Sequence, residues 1–184
     1  KKRRSAQTAM YEIMKDLVVM LAPVLSFTME EVYQFMNKPA DAPKSVQMLP
    51  WPKVHEEYID KALEEKWDNF IAVRGEITKV LENARRAKTI GHSLDAKVEL
   101  HAEGEALEIL KSVEKDLASL LIVSQASVVE GLEGGTEATG REDLKVTVKP
   151  AEGHKCERCW IYSDTVGQDP EHPTLCARCS AVVK

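Results

Sequence analysis

Long hydrophobic runs and an excess of basic residues are both missing from this sequence. No apolar stretch approaches the ~20 residues that a membrane-spanning helix requires, so we expect no membrane partner. The 25 basic and 30 acidic residues give a formal net charge of −5. This balance argues against a protein that coats nucleic acid with its whole surface, although a local basic patch stays possible. Aromatic residues make up only 5% of the chain, so its core should be mainly aliphatic.

Targeting and catalytic motifs are also missing. The basic residues at positions 1–4 lead into an amphipathic pattern and not into the short apolar core of a signal peptide. Because the chain begins without Met inside a predicted helix, we expect it to be part of a longer cytoplasmic protein. The glycine-rich segment 131–140 contains no Lys and does not match a phosphate-binding loop. With no Ser/His/Asp set or paired carboxylates, we expect no active site in these residues.

Helical spacing dominates the first half of the chain. Apolar residues recur every three or four positions across 6–24 and again across 56–89, which predicts helices with one buried face. The segment 39–52 contains four prolines and should be an extended connection. Gly91 is predicted to end the long helix. We therefore expect residues 1–91 to form an antiparallel helical bundle.

The periodicity changes after the long helix. Alternating apolar and polar residues predict strands at 94–100, 126–129 and 144–148, with a helix between the first two. Residues 92–150 should form a small α+β unit. Residues 151–184 show little periodicity, so something other than an apolar core must hold them together. The predicted fold is mainly α, with a helical bundle, a small α+β unit and a four-cysteine finger.

All four cysteines fall in this last segment. Cys156 and Cys159 are separated by two residues, as are Cys176 and Cys179, with sixteen residues between the pairs. Each short spacing can turn two sulfurs toward one point, and two such turns supply the tetrahedral thiolate shell that zinc prefers. A closed shell of four protein ligands leaves no place for a reactive water, so the ion should be structural. Disulfides or an iron centre are the alternatives.

Eight segments share one resemblance: Leu21–Tyr33, Ser45–Val46, Trp51–Pro52, Leu81–Arg85, Lys88–Gly91, Ser93–Val98, Lys155–Trp160 and Leu175–Cys179. Together they resemble one enzyme family, the bacterial-type isoleucyl-tRNA synthetases. The helix turn at Leu21–Tyr33, with the connection at Ser45–Val46 and Trp51–Pro52, resembles the anticodon-binding bundle of the class I synthetases for Ile, Val and Leu. The two cysteine pairs resemble the C-terminal zinc finger of the isoleucine enzymes.

The resemblance implies a piece of a monomeric ligase that joins isoleucine to its tRNA with ATP. The ATP site and the editing domain would lie in the rest of the polypeptide, and this piece would hold the anticodon stem and loop. Trp160 offers a stacking plane for an unpaired base, and Arg158 offers a fork of donors beside it. Each cysteine pair with its intervening residues is called a knuckle, the first at Cys156–Cys159 and the second at Cys176–Cys179. The other candidate RNA contacts are Arg178 on the second knuckle and Arg85, Arg86 and Lys88 at the end of the long helix.

Each of these residues also has a simpler interpretation. Trp160 could pack against the finger or its neighbour, Arg158 could form a surface ion pair, and the helix-end cations could suit the helix dipole. Two alternative functions remain open. The finger could serve only as a zinc staple for its own enzyme, or it could be the tail of a DNA-repair glycosylase, a class with a similar four-cysteine finger.

Overall fold

The computed structural model describes residues 2–183. Lys1, the first of the basic residues at the start of the chain, and Lys184 lie outside the described residues. The chain divides into two compact units, Lys1–Ile59 and Asp60–Lys184. Helices and one small mixed sheet account for most of the regular structure, which confirms the predicted fold class. Among residues 2–183, no helix combines the length and the apolar character needed to cross a membrane.

The first unit contains two helices, α1 (Lys2–Leu21) and α2 (Ser26–Phe35), followed by a 3-10 turn at Val46–Met48. The carboxylate of Glu30 accepts hydrogen bonds from the Ser45 hydroxyl (2.7 Å) and the Val46 amide (2.9 Å), which ties the proline-rich connection to α2. The core of this unit is small and consists of Val18, Ala22, Tyr33 and Val46.

Helix α3 (Lys61–Arg86) opens the second unit. Asp60 caps it by accepting a hydrogen bond from the Leu63 amide at 3.0 Å. The predicted apolar face is buried only in its later part, at Phe70 and Ile77. Leu63 (50%) and Trp67 (37%), nearer the start of the helix, are exposed. Val73, which the pattern did not mark, is also buried. The buried side chains join the same core as the sheet.

The predicted end of α3 is wrong. The helix stops at Arg86, and Lys88 adopts a left-handed conformation (φ 59°) in the place that glycine usually takes. The Lys88 amide donates to the Arg85 carbonyl (3.1 Å) and the Thr89 amide donates to the Ala84 carbonyl (2.9 Å). This pair of bonds is a Schellman motif, so the helix ends five residues before Gly91 because its last carbonyls are already satisfied.

The sheet has four strands in the order β2-β1-β4-β3. Strand β1 pairs in parallel with β2 and antiparallel with β4, which in turn pairs antiparallel with β3. Helices α4 (Gly104–Ser112) and α5 (Leu117–Leu121) connect β1 to β2. The strands are β1 (Ala96–Ala102), β2 (Gln125–Glu130), β3 (Glu137–Ala138) and β4 (Leu144–Pro150).

The finger follows β4. Its hairpin consists of β5 (His154–Lys155) and β6 (Tyr162–Ser163), and it ends in helix α6 (Ala177–Val183). The predicted domain limits at residues 91 and 150 remain predictions, and they differ from the two compact units. The difference arises because α3 packs on the sheet core, so the second unit begins at Asp60.

Candidate metal centre and nucleic-acid interface

The first cysteine pair lies on a tight turn between β5 and β6. The Cys156 amide donates to the Ile161 carbonyl (2.9 Å), and the Trp160 amide donates to the Cys156 carbonyl (2.8 Å). These bonds close the turn around Glu157 and Arg158, and they point both sulfurs inward. The second pair begins helix α6, where the Ser180 amide donates to the Cys176 carbonyl at 2.9 Å.

The four sulfur atoms converge as the spacing predicted. Each Sγ lies within 4.8 Å of the others, and no disulfide joins them. The Sγ atoms of Cys159 and Cys176 are 3.8 Å apart. A tetrahedral zinc ion with Zn–S bonds of about 2.3 Å requires sulfur–sulfur distances of about 3.8 Å. The donor set and its spacing therefore fit one tetrahedrally bound ion.

The electrostatics of the cluster favour a bound cation. Burial raises the pKa of the Cys156 thiol, but the amides of Cys159, Cys176 and Arg158 donate to its sulfur and lower that pKa to about 6. Burial and the neighbouring cysteines raise the pKa of Cys159 to about 11. The surroundings thus lower the pKa of one thiol and raise that of another. A cation at the centre would let all four ionise together.

Two arginines, Arg158 and Arg178, each contact a cysteine of the opposite knuckle. The Arg158 guanidinium, on the first knuckle, donates to Sγ of Cys179 on the second at 3.6 Å. The Arg178 side chain, on the second knuckle, hydrogen-bonds Cys159 on the first, and this contact raises the pKa of Arg178. Arg158 and Arg178, two of the predicted RNA contacts, thus meet the same sulfur cluster. Each compensates part of the negative charge of a four-thiolate site.

Trp160 occupies an unusual position. Its φ is 64°, in the left-handed region that bulky residues rarely adopt, and its side chain is 60% exposed. The indole therefore lies largely outside the small core of the finger. A large aromatic ring in this backbone conformation leaves most of its surface open to solvent.

Protein-family models match most of the chain. Residues 1–100 match the family described as "Anticodon-binding domain of tRNA ligase". The chain belongs to this anticodon-binding family. Residues 153–182 match a second family, described as "Zinc finger found in FPG and IleRS". Because the second family includes fingers from two kinds of protein, the first match separates the synthetase interpretation from the glycosylase alternative.

Curated relatives agree with both matches. The chain is 47% identical over 184 residues to an isoleucine–tRNA ligase of Desulforamulus reducens, covering 99% of this chain and 20% of that protein. It is 44% identical over 188 residues to the isoleucine–tRNA ligase of Moorella thermoacetica, with coverage of 100% and 20%. The enzyme of Syntrophotalea carbinolica is 48% identical over 182 residues, with coverage of 98% and 19%. The chain thus spans about a fifth of the length of these relatives.

The remaining candidate contacts of this anticodon-binding family member lie at the end of α3. Arg85 and Arg86 both pair with Glu82, at 2.8 Å and 3.3 Å, and both arginine side chains are more than half exposed. Such exposed pairs are weak and exchange readily for other anions. Lys88 sits at the left-handed position that ends the helix.

Sequence reasoning missed the residues that orient the finger hairpin. Gly153 has φ 88°, and a Cβ there would lie 2.5 Å from the carbonyl carbon of Ser163, so only glycine fits. The Ser124 hydroxyl, at the start of β2, accepts a hydrogen bond from the Tyr162 amide at 2.7 Å. Glycine three residues before a cysteine pair is a usable signal, whereas nothing in the local sequence marks Ser124.

Proposed function

We propose that this chain is the C-terminal, tRNA-binding region of an isoleucine–tRNA ligase. The observation that carries the proposal is the identity of 44–48% across 98–100% of the chain to ligases of this specificity. In this proposal the chain holds the anticodon stem and loop of the isoleucine tRNA. The longer, cytoplasmic and monomeric enzyme binds ATP and attaches isoleucine elsewhere in its polypeptide.

Exposed apolar residues in the first unit support a role for the rest of that polypeptide as a partner. Val24 is 81% exposed, Phe27 93% and Phe35 86%. Clusters of large apolar side chains on a surface usually mark an interface. In the longer enzyme, further helices would cover this face and complete the bundle.

The finger, in this proposal, holds one structural zinc ion through Cys156, Cys159, Cys176 and Cys179. The segment buries almost nothing but its cysteines, with Ile161, Val166 and Leu175 only partly buried around them. So small an apolar core cannot order about thirty residues by itself. Metal binding supplies the missing free energy, on the order of 10 kcal/mol in zinc modules of this size.

RNA contact is proposed to centre on Trp160, whose exposed indole can stack on an unpaired base. Arg158 lies on the same knuckle. A guanidinium carries five N–H donors, so one bond to the Cys179 sulfur leaves donors for a base edge or phosphate. Arg178 has the corresponding position on the second knuckle.

The cations at the end of α3 are proposed to contact phosphates. Arg85, Arg86 and Lys88 belong to a stretch from residue 72 to residue 98 that holds six basic and three acidic residues. Phosphate contacts release counterions, so their loss should weaken all tRNAs alike and flatten the dependence of affinity on salt.

The test is tRNA affinity of the chain, and of the full-length ligase that contains it, for isoleucine and non-cognate tRNAs. We expect Trp160→Ala and Arg158→Ala to lower affinity for the isoleucine tRNA, and Arg85→Gln to weaken both tRNAs equally. Lys111→Gln is the matched control, because Lys111 pairs with Glu130 on the sheet surface and has no proposed RNA role. Zinc content is measured in every variant.

The alternative is that zinc only staples the finger to its own enzyme. The contact of Arg158 with Cys179 favours this role for the arginine. If the variants of Trp160 and Arg158 keep zinc and bind the isoleucine tRNA as tightly as the unchanged chain, recognition belongs to the helices alone.

A further inference from the structure

A lysine and two aromatic rings meet on one side of the finger hairpin. Lys155 on β5 pairs directly across the hairpin with Tyr162 on β6. The Lys155 ammonium lies 6.0 Å from the centroid of the Trp160 ring and 5.9 Å from that of the Tyr162 ring. The three residues form a continuous surface, defined here as the hairpin face, with a positive charge between two ring systems.

The backbone holds the hairpin face in place. The Tyr162 amide donates a hydrogen bond to the Ser124 hydroxyl, and the Trp160 amide donates one to the Cys156 carbonyl. Gly153 permits the close approach of the chain at the base of the hairpin. These bonds fix the backbone from which the three side chains extend, so less backbone freedom is lost when a ligand binds.

Lys155 has no carboxylate partner among residues 2–183, unlike the neighbouring Lys97, which pairs with Glu152 at 2.6 Å. Its charge is therefore available to an external anion. Trp160 is 60% exposed and Tyr162 is half-buried, so both rings can still offer surface to a ligand. Basic groups beside accessible aromatic rings are a common way for proteins to hold single-stranded nucleic acid, because the ring stacks on a base and the cation pairs with a phosphate.

We propose that the hairpin face binds one unpaired nucleotide of an RNA loop, with its base on Trp160 or Tyr162 and its phosphate on Lys155. The proposal rests on the proposed function and adds two residues, Lys155 and Tyr162, to the RNA-binding surface. It also assigns the phosphate contact of the finger to Lys155, which leaves Arg158 free to keep its bond to Cys179.

The experiment compares variants in the full chain, titrated with the anticodon stem-loop of the isoleucine tRNA over a range of salt concentrations. Lys155→Gln should weaken binding and reduce the slope of log affinity against log salt by about 0.7, the value for one phosphate of a single strand. Tyr162→Leu should weaken binding without changing that slope, whereas Tyr162→Phe should bind normally because it keeps the ring. Lys111→Gln is again the charge control.

The outcomes separate this proposal from the broader one. If Trp160→Ala lowers affinity roughly ten- to hundredfold, as expected for one lost stack, and Lys155→Gln changes neither affinity nor slope, the hairpin face is wrong while RNA binding by the finger stands. If none of these variants affects binding, the hairpin face is wrong and the finger makes no RNA contact; the tRNA-binding role then belongs to the helices, which Arg85→Gln tests. Loss of zinc from Lys155→Gln would assign the lysine to the stability of the finger and would also overturn the inference.

Discussion

Replacing Trp160 by glycine and by alanine should affect stability and RNA binding in different ways. A residue with a Cβ pays about 1–2 kcal/mol to adopt the left-handed conformation, and Trp160 has φ 64°. Glycine avoids that strain but loses about 0.5–1 kcal/mol through the greater freedom of its unfolded chain. Both variants lose the indole equally. We therefore expect the glycine variant to be more stable than the alanine variant by roughly 0.5–1 kcal/mol.

The stability difference should appear in zinc affinity, because folding of a small finger is coupled to binding of its metal. A difference of 0.5–1 kcal/mol corresponds to about two- to fivefold in an equilibrium constant. Competition with a chromophoric chelator measures it directly on the chain. The affinity for the isoleucine tRNA should fall roughly ten- to hundredfold in both variants, since each has lost the same stacking plane.

Two results would refute this reasoning. If the alanine variant holds zinc as tightly as the glycine variant, the backbone at Trp160 is not strained in solution. If the glycine variant keeps the tRNA affinity of the unchanged chain, the ring makes no contact with RNA. Measuring both quantities on the same two proteins keeps the stability and recognition roles separate.

Three further predictions concern other parts of the chain. The purified chain should contain about one zinc ion, and Cys156→Ser should release it and unfold the finger while the circular dichroism of the helices persists; two disulfides by thiol titration would contradict this. His101 is 6% exposed, and neither of its ring nitrogens has a hydrogen-bond partner among the described residues. His101→Leu should therefore raise the free energy of unfolding by about 1–3 kcal/mol in denaturant titrations. A loss of stability would show that the ring has a partner. The Asp143 carboxylate is held by Arg141, which lowers its pKa, and accepts from the Ala106 amide in the first turn of α4. A lowered pKa contributes stability that is present above the ordinary carboxyl range and is lost as the pH falls through the pKa of the folded state. Asp143→Asn should therefore be less stable than the unchanged chain by about 1 kcal/mol at neutral pH and no less stable in strong acid. A difference that persists in strong acid would contradict this.

Several features of this protein followed from the sequence alone. The periods of three to four and of two residues predicted α3 and strands β1, β2 and β4, and the spacing of the cysteines predicted the cluster. These signals work because they are local: they arise from the repeat of a helix, the alternation of a strand and the geometry of a short turn.

Other features required the tertiary structure. The second unit begins at Asp60 because α3 buries its apolar face in the same core as the sheet, and the stripe on a helix does not specify which surface will cover it. Lys88 ends that helix because the last carbonyls find amide partners before Gly91 is reached.

The finger shows the same division. The spacing of its four cysteines predicted that their sulfur atoms would cluster, but the sequence did not predict the partners of its charged residues. Arg158 reaches a sulfur 21 residues away, and Lys155 stands between two rings that a hairpin brings together. Contacts of this kind depend on how turns and strands fold back on one another. The sequence therefore predicted the cysteine cluster, while the folded chain decided which of the surrounding cations face the sulfur atoms and which face solvent.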